Sequence, residues 1–98
     1  MTKELDNEFT DQLFEAILLL EDKDECISFF KDIATAGEIK ELSHRLEVAR
    51  MLRDNYTYNQ IVEDTGVSTT TISRVKRVLE YGAGGYDLIL DQLEKNQE

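Results

Sequence analysis

The residues best suited to chemistry in this chain gather between positions 57 and 77. Thr69, Thr70, Ser73, Arg74, Lys76 and Arg77 bring hydroxyls, guanidinium groups and an ammonium together, and the stretch 67–79 holds three bases and no acid. Such groups suit an anionic polymer, because hydroxyls and cations meet phosphate oxygens while arginine can pair bidentately with a guanine edge. Catalysis has no comparable candidate. His44, the only histidine, has no second histidine or cysteine pair beside it to complete a metal site. Cys26 stands alone in an apolar pattern without basic neighbours, which describes a small hydrophobe rather than a nucleophile. The cluster Gly82-Ala83-Gly84-Gly85 lacks the lysine and hydroxyl of a phosphate loop and reads as a helix stop that uses glycine's left-handed conformation.

Two capped helices must hold the basic set. Thr57-Tyr58-Asn59-Gln60 has the spacing of a capping box and starts a short helix. Ser68 is the natural cap of the next, and Thr65-Gly66-Val67-Ser68 supplies a sharp turn between them. Ile61, Val62, Val67, Ile72 and Val75 fit the positions that lock such a pair, so the spacing predicts a helix-turn-helix over 58–77. With Ile72, Val75 and Leu79 inward, the outward face carries two stripes: Thr69, Ser73, Lys76 and Thr70, Arg74, Arg77. In a DNA complex Thr69, Thr70 and Ser73 would meet base edges, Arg74 a guanine or a phosphate, and Lys76 and Arg77 the backbone. Thr57, Tyr58 and Asn59 would add phosphate contacts, and Ser68 and Thr71 complete the candidate set.

The rest of the chain bounds the class. Ninety-eight residues without proline favour a single, mostly helical domain over 1–98. Phe9, Leu13, Ala16, Ile17 and Leu20 form a helical stripe, and Phe14, Leu18 and Leu19 widen it to two faces, which predicts burial against a second copy. Cys26 or Ile27, Phe30 and Ile33 suggest a second helix after an acidic turn, with Phe29 and Phe30 as packing residues. Thr35 to Glu38 is a further capping box, opening a long helix with the stripe Ile39, Leu42, Leu46, Ala49 and Leu52 that ends near Asp54-Asn55. Tyr86, Ile89, Leu90 and Leu93 mark a sixth helix. The net charge of -10 opposes nucleic acid, yet residues 40–80 hold seven bases and six acids and sum to +1, while the remainder, with four bases and fifteen acids, sums to -11. The lone cysteine and the absence of a secretory pattern or membrane-length apolar run predict a cytoplasmic protein that does not enter membranes. An acidic helical adaptor for another protein is the competing expectation.

With Arg45, Gly66 and Ile72-Ser73-Arg74 in place, the stretch 29–93 resembles the Trp repressor superfamily. Through Leu42-Ser43-His44-Arg45-Leu46 and Tyr81-Gly82-Ala83-Gly84-Gly85-Tyr86 it is more similar to the YerC/YecD group of Trp-repressor-related bacterial proteins. The resemblance implies an all-α, six-helix fold, an intertwined homodimer built by the N- and C-terminal helices, and binding of double-stranded DNA by paired helix-turn-helix units. Thr35, Arg45 and Arg74 match positions that line the tryptophan pocket of that repressor. Val75 stands where the family pattern has glycine and Val78 where it has serine, so no tryptophan corepressor is expected, and the sequence names no other effector or cofactor. The turn before Thr57 is one residue shorter than in the repressor, which bears on the spacing of the two reading heads.

Overall fold

A computed structural model of the chain describes residues 7–97. The described residues form six helices: α1 (Glu8–Leu18), α2 (Lys23–Ile33), α3 (Ala36–Arg53), α4 (Tyr58–Thr65), α5 (Thr69–Tyr81) and α6 (Gly85–Asn96). No strand occurs among them. Two compact units divide between Ile39 and Lys40, inside α3.

In the first unit α1 and α2 each start on an acidic or amide side chain. Asn7 accepts the Thr10 N–H at 2.9 Å and Asp22 accepts the Glu25 N–H at 2.9 Å. The Glu25 carboxylate in turn takes the Glu21 N–H, one residue earlier than a capping box would. The acids at 22–25 are thus the cap and first turn of α2 rather than a turn preceding it, because negative charge is favourable beside the unsatisfied amides of a helix N-terminus. Thr35 and Glu38 form the expected box at the start of α3, with bonds of 2.9 and 3.1 Å. No side chain of α1 or α2 is buried. Phe9, Leu18 and Leu19 are about four-fifths exposed, at 78%, 83% and 78%. Phe29 and Phe30 meet edge to face, their centroids 5.7 Å apart.

The second unit has a continuous core of Val48, Ala49, Met51, Ile61, Ile72, Val75 and Leu90, drawn from α3, α4, α5 and α6. Leu46, Leu52, Tyr58, Val62, Val67, Leu79 and Tyr86 pack around it. The buried part of α3 is broader than the expected stripe: Val48 and Met51 are inside, while Leu42 is half exposed. Elements converging on the C-terminal half of α3 cover more than one of its faces, which a single period cannot express. Helix α3 stops in a Schellman motif, with the Tyr56 N–H on the Met51 carbonyl and the Asn55 N–H on that of Leu52. Asn55 takes the left-handed conformation there, at φ 66°. Arg53 ties α3 to α6, 2.7 Å from Asp91 and within 4 Å of Asp87 and Glu94.

At the end of α5 the glycine cluster departs from expectation. Gly82 caps the helix at φ -85°, a value open to any residue, and the left-handed glycine is Gly84, at the start of α6 with φ 83°. Gly82 is there for space, since a Cβ would fall onto the Val78 carbonyl oxygen and 2.8 Å from Val78 Cγ1.

Candidate nucleic-acid interface

Helix α4 begins with the full capping box: Thr57 Oγ1 accepts the Gln60 N–H at 3.2 Å, and Gln60 Oε1 accepts the Thr57 N–H at 2.8 Å. It ends at Gly66 in the left-handed conformation, φ 74°, whose N–H reaches the Val62 carbonyl at 2.8 Å. Ser68 then caps α5 by accepting the Thr71 N–H at 3.2 Å. Ile61, Ile72 and Val75 are buried and Val62 and Val67 pack against them, so the locking residues read from the sequence do lock the pair.

Helix α5 therefore has two sides. Ile72 and Val75 point into the core, whereas Thr69, Thr70, Ser73, Arg74, Lys76 and Arg77 are all exposed. The remaining candidates are placed differently. The hydroxyls of Thr57 and Ser68 serve their caps, Tyr58 packs on the core, Asn59 is exposed, and Thr71 is half-buried and shares a hydrogen bond with Ser68 Oγ.

Charge separates α5 from α3. Every arginine of α3 has a carboxylate partner: Arg45 lies 3.9 Å from Glu41, Arg50 grips Glu47 and Asp54, and Arg53 holds the acids of α6. The two hydrogen bonds from Arg50, each 2.8 Å, hold the Glu47 carboxyl below its usual range. Hydrogen bonding to Asp91 stabilises the charged Arg53 in the same way. Among the described residues, Arg74, Lys76 and Arg77 have no carboxylate within 4 Å. The free positive charge of this unit's paired helices is thus on the outward side of α5.

Arg45 also lines a cavity of about 200 Å³ with Glu41, His44, Val67, Ser68 and Thr71. Arg74 is not among its walls, and Thr35 belongs to the first unit, where its side chain is engaged in the α3 cap. Val75 is in the core and Val78 is half exposed, and neither valine lines this cavity. Sequence reasoning missed the Thr65 hydroxyl, which donates to the Ile61 carbonyl at 2.6 Å and accepts the Val67 N–H at 3.1 Å. A threonine four residues after a buried isoleucine and directly before a turn glycine was the available signal.

An all-α unit that presents a capped, basic second helix from a locked pair is a helix-turn-helix. The chain belongs to the Trp repressor family, whose model, described as Trp repressor protein, matches residues 8–94. The family is one of regulators rather than enzymes. The chain is 53% identical over 87 residues to an uncharacterized protein, YerC, of Bacillus subtilis (strain 168), covering 89% of this chain and 84% of that one. It superposes on a TrpR-like protein from Eubacterium eligens ATCC 27750 with a TM-score of 0.92 at 50% identity, covering 95% of this chain and 96% of the other. A candidate Trp repressor from Staphylococcus aureus gives a TM-score of 0.89 at 48% identity over 94% and 92% of the two chains. Among the described residues no helix is long and apolar enough to cross a membrane.

Proposed function

We propose that the chain is a sequence-specific, DNA-binding transcriptional regulator that reads the major groove as a cytoplasmic homodimer, the whole chain acting as one domain. The observation that carries this is the contrast in ion pairing: each arginine of α3 has an acid within 4 Å, and the three bases of α5 are left for an anion. In this reading Thr69, Thr70 and Ser73 face base edges at the N-terminal half of α5 and Arg74 reaches a guanine or a phosphate. Lys76 and Arg77 hold phosphates further along, and the amides at the start of α4, from Tyr58 and Asn59, meet the backbone on the other side of the groove. Two copies place their recognition helices about 34 Å apart on successive major grooves, the spacing known for helix-turn-helix dimers, Trp repressor among them. The apolar side chains left exposed on α1, α2 and α6 support the second copy, because a monomer rarely leaves so many in water.

The overall charge of -10 favours a second reading, an acidic adaptor that docks on another protein and keeps only the shape of the motif. Selection of bound duplexes from a random pool, followed by affinity measurements on Arg74→Ala with Arg77→Ala, separates the two. A regulator enriches a two-fold symmetric sequence and loses at least about tenfold in affinity in the folded double variant, since a base contact is worth about 1–3 kcal/mol. An adaptor enriches nothing and tolerates the double substitution in the cell.

A further inference from the structure

We propose that Thr65 is a positioning residue for sequence reading, its hydroxyl setting the direction in which the chain leaves α4 and hence the pose of α5. The inference rests on the DNA-binding reading given above.

The two helix ends of this unit that pass through a left-handed residue show what the hydroxyl does. After α3, the residue beyond left-handed Asn55 sends its N–H back five positions, Tyr56 to the Met51 carbonyl, and the chain folds back over the helix end. After α4, the residue beyond left-handed Gly66 does not. Gly66 bonds the Val62 carbonyl at 2.8 Å, but the Val67 N–H goes instead to Thr65 Oγ1 at 3.1 Å, and that hydroxyl is anchored on the Ile61 carbonyl at 2.6 Å. The chain is therefore released from the last turn of α4. Val67 packs against the core, Ser68 takes an extended conformation at φ -68° and ψ 154°, and α5 starts one residue later.

Both hydrogen bonds are partly screened from water, and Ile61, the anchor, is fully buried. Without the hydroxyl, the Val67 N–H has one nearby protein acceptor in the usual pattern, the Val62 carbonyl, and closing that bond re-aims α5. Glycine at 66 permits the turn; the threonine before it selects which of two closures the turn takes. Thr65 has no need to touch DNA for this. Its effect is on which bases the outward side of α5 can reach, while phosphate contacts made by flexible lysine and arginine side chains adapt to a changed pose.

The test is Thr65→Val, which keeps the branched shape and removes the hydroxyl, beside Thr65→Ser, which restores it. Each purified protein is assayed at a temperature where it is folded, for affinity to the selected duplex, affinity to a scrambled duplex, and the slope of affinity against salt. The expected result is a fall of about tenfold or more in the ratio of specific to scrambled affinity for the valine variant, with an unchanged salt slope, and a ratio within about twofold of the parent for the serine variant. A purely structural role moves the melting temperature and leaves the ratio alone. Thr65→Ala takes the place of the valine variant if the latter does not fold. A valine or alanine variant that keeps the parent ratio, or a serine variant that loses as much, overturns the role of Thr65 while the parent still reads its site. A parent protein that selects no duplex overturns the DNA-binding reading itself, and this inference with it.

Discussion

Gly82 owes its place to crowding, not to backbone freedom. Its φ is ordinary, and the space a methyl group would need is filled by the Val78 carbonyl and Cγ1. Gly82→Ala is expected to destabilise the fold by about 1–3 kcal/mol, the usual cost of overpacking, as read by urea unfolding. Gly85→Ala is the control: the site is open and helical, so its stability should equal or slightly exceed that of the parent. Equal losses at the two positions would remove the steric account. From the sequence the cluster was legible as a stop, because several glycines in a row cannot sustain a helix. Which of them turns left-handed was not legible, because that depends on how α5 ends against its own Val78 and where α6 begins.

The starts of α3, α4 and α5 were the most legible elements, since a cap is made within four residues. The boxes at Thr35 and Thr57 and the cap at Ser68 all form where their spacing places them. The locking residues and the outward stripe of α5 were equally plain, because a short amphipathic helix has one inside and one outside. Burial along α3 was not, as Val48 and Met51 are covered by elements far away in sequence. The Arg53 clamp on Asp87, Asp91 and Glu94 escaped for the same reason. The two boxes differ in one testable respect. Glu38 is held below its usual 4.5 by the bond from the Thr35 backbone N–H, whereas Gln60 carries no charge. A carboxyl with a lowered folded pKa adds stability above its unfolded value, and that addition is lost as pH falls through the folded one. The advantage of the parent over Glu38→Gln should accordingly hold from about pH 7 to about pH 5 and shrink below about pH 4.5 in thermal melts. A gap constant down to about pH 3 would contradict this assignment.

For the whole molecule the exposed apolar side chains set the expectation. Phe9, Leu18 and Leu19 on the first unit and Leu88 and Ile89 on the second are a liability in a monomer and an asset in a dimer. If folding and pairing are linked, the melting temperature rises with protein concentration, and Leu18→Glu lowers it and makes it independent of concentration. A parent Tm that stays constant across about a hundredfold range of concentration would remove the dimer from the proposal. The division of α5 into a side that packs and a side that does not bears finally on how such proteins diversify. Exchanges at exposed positions free of caps and core contacts usually shift stability by no more than about 0.5 kcal/mol. Thr69, Thr70, Ser73, Arg74, Lys76 and Arg77 are such positions, so on the proposed DNA-binding reading duplicated copies of this chain could drift toward new target sequences without passing through unfolded ancestors.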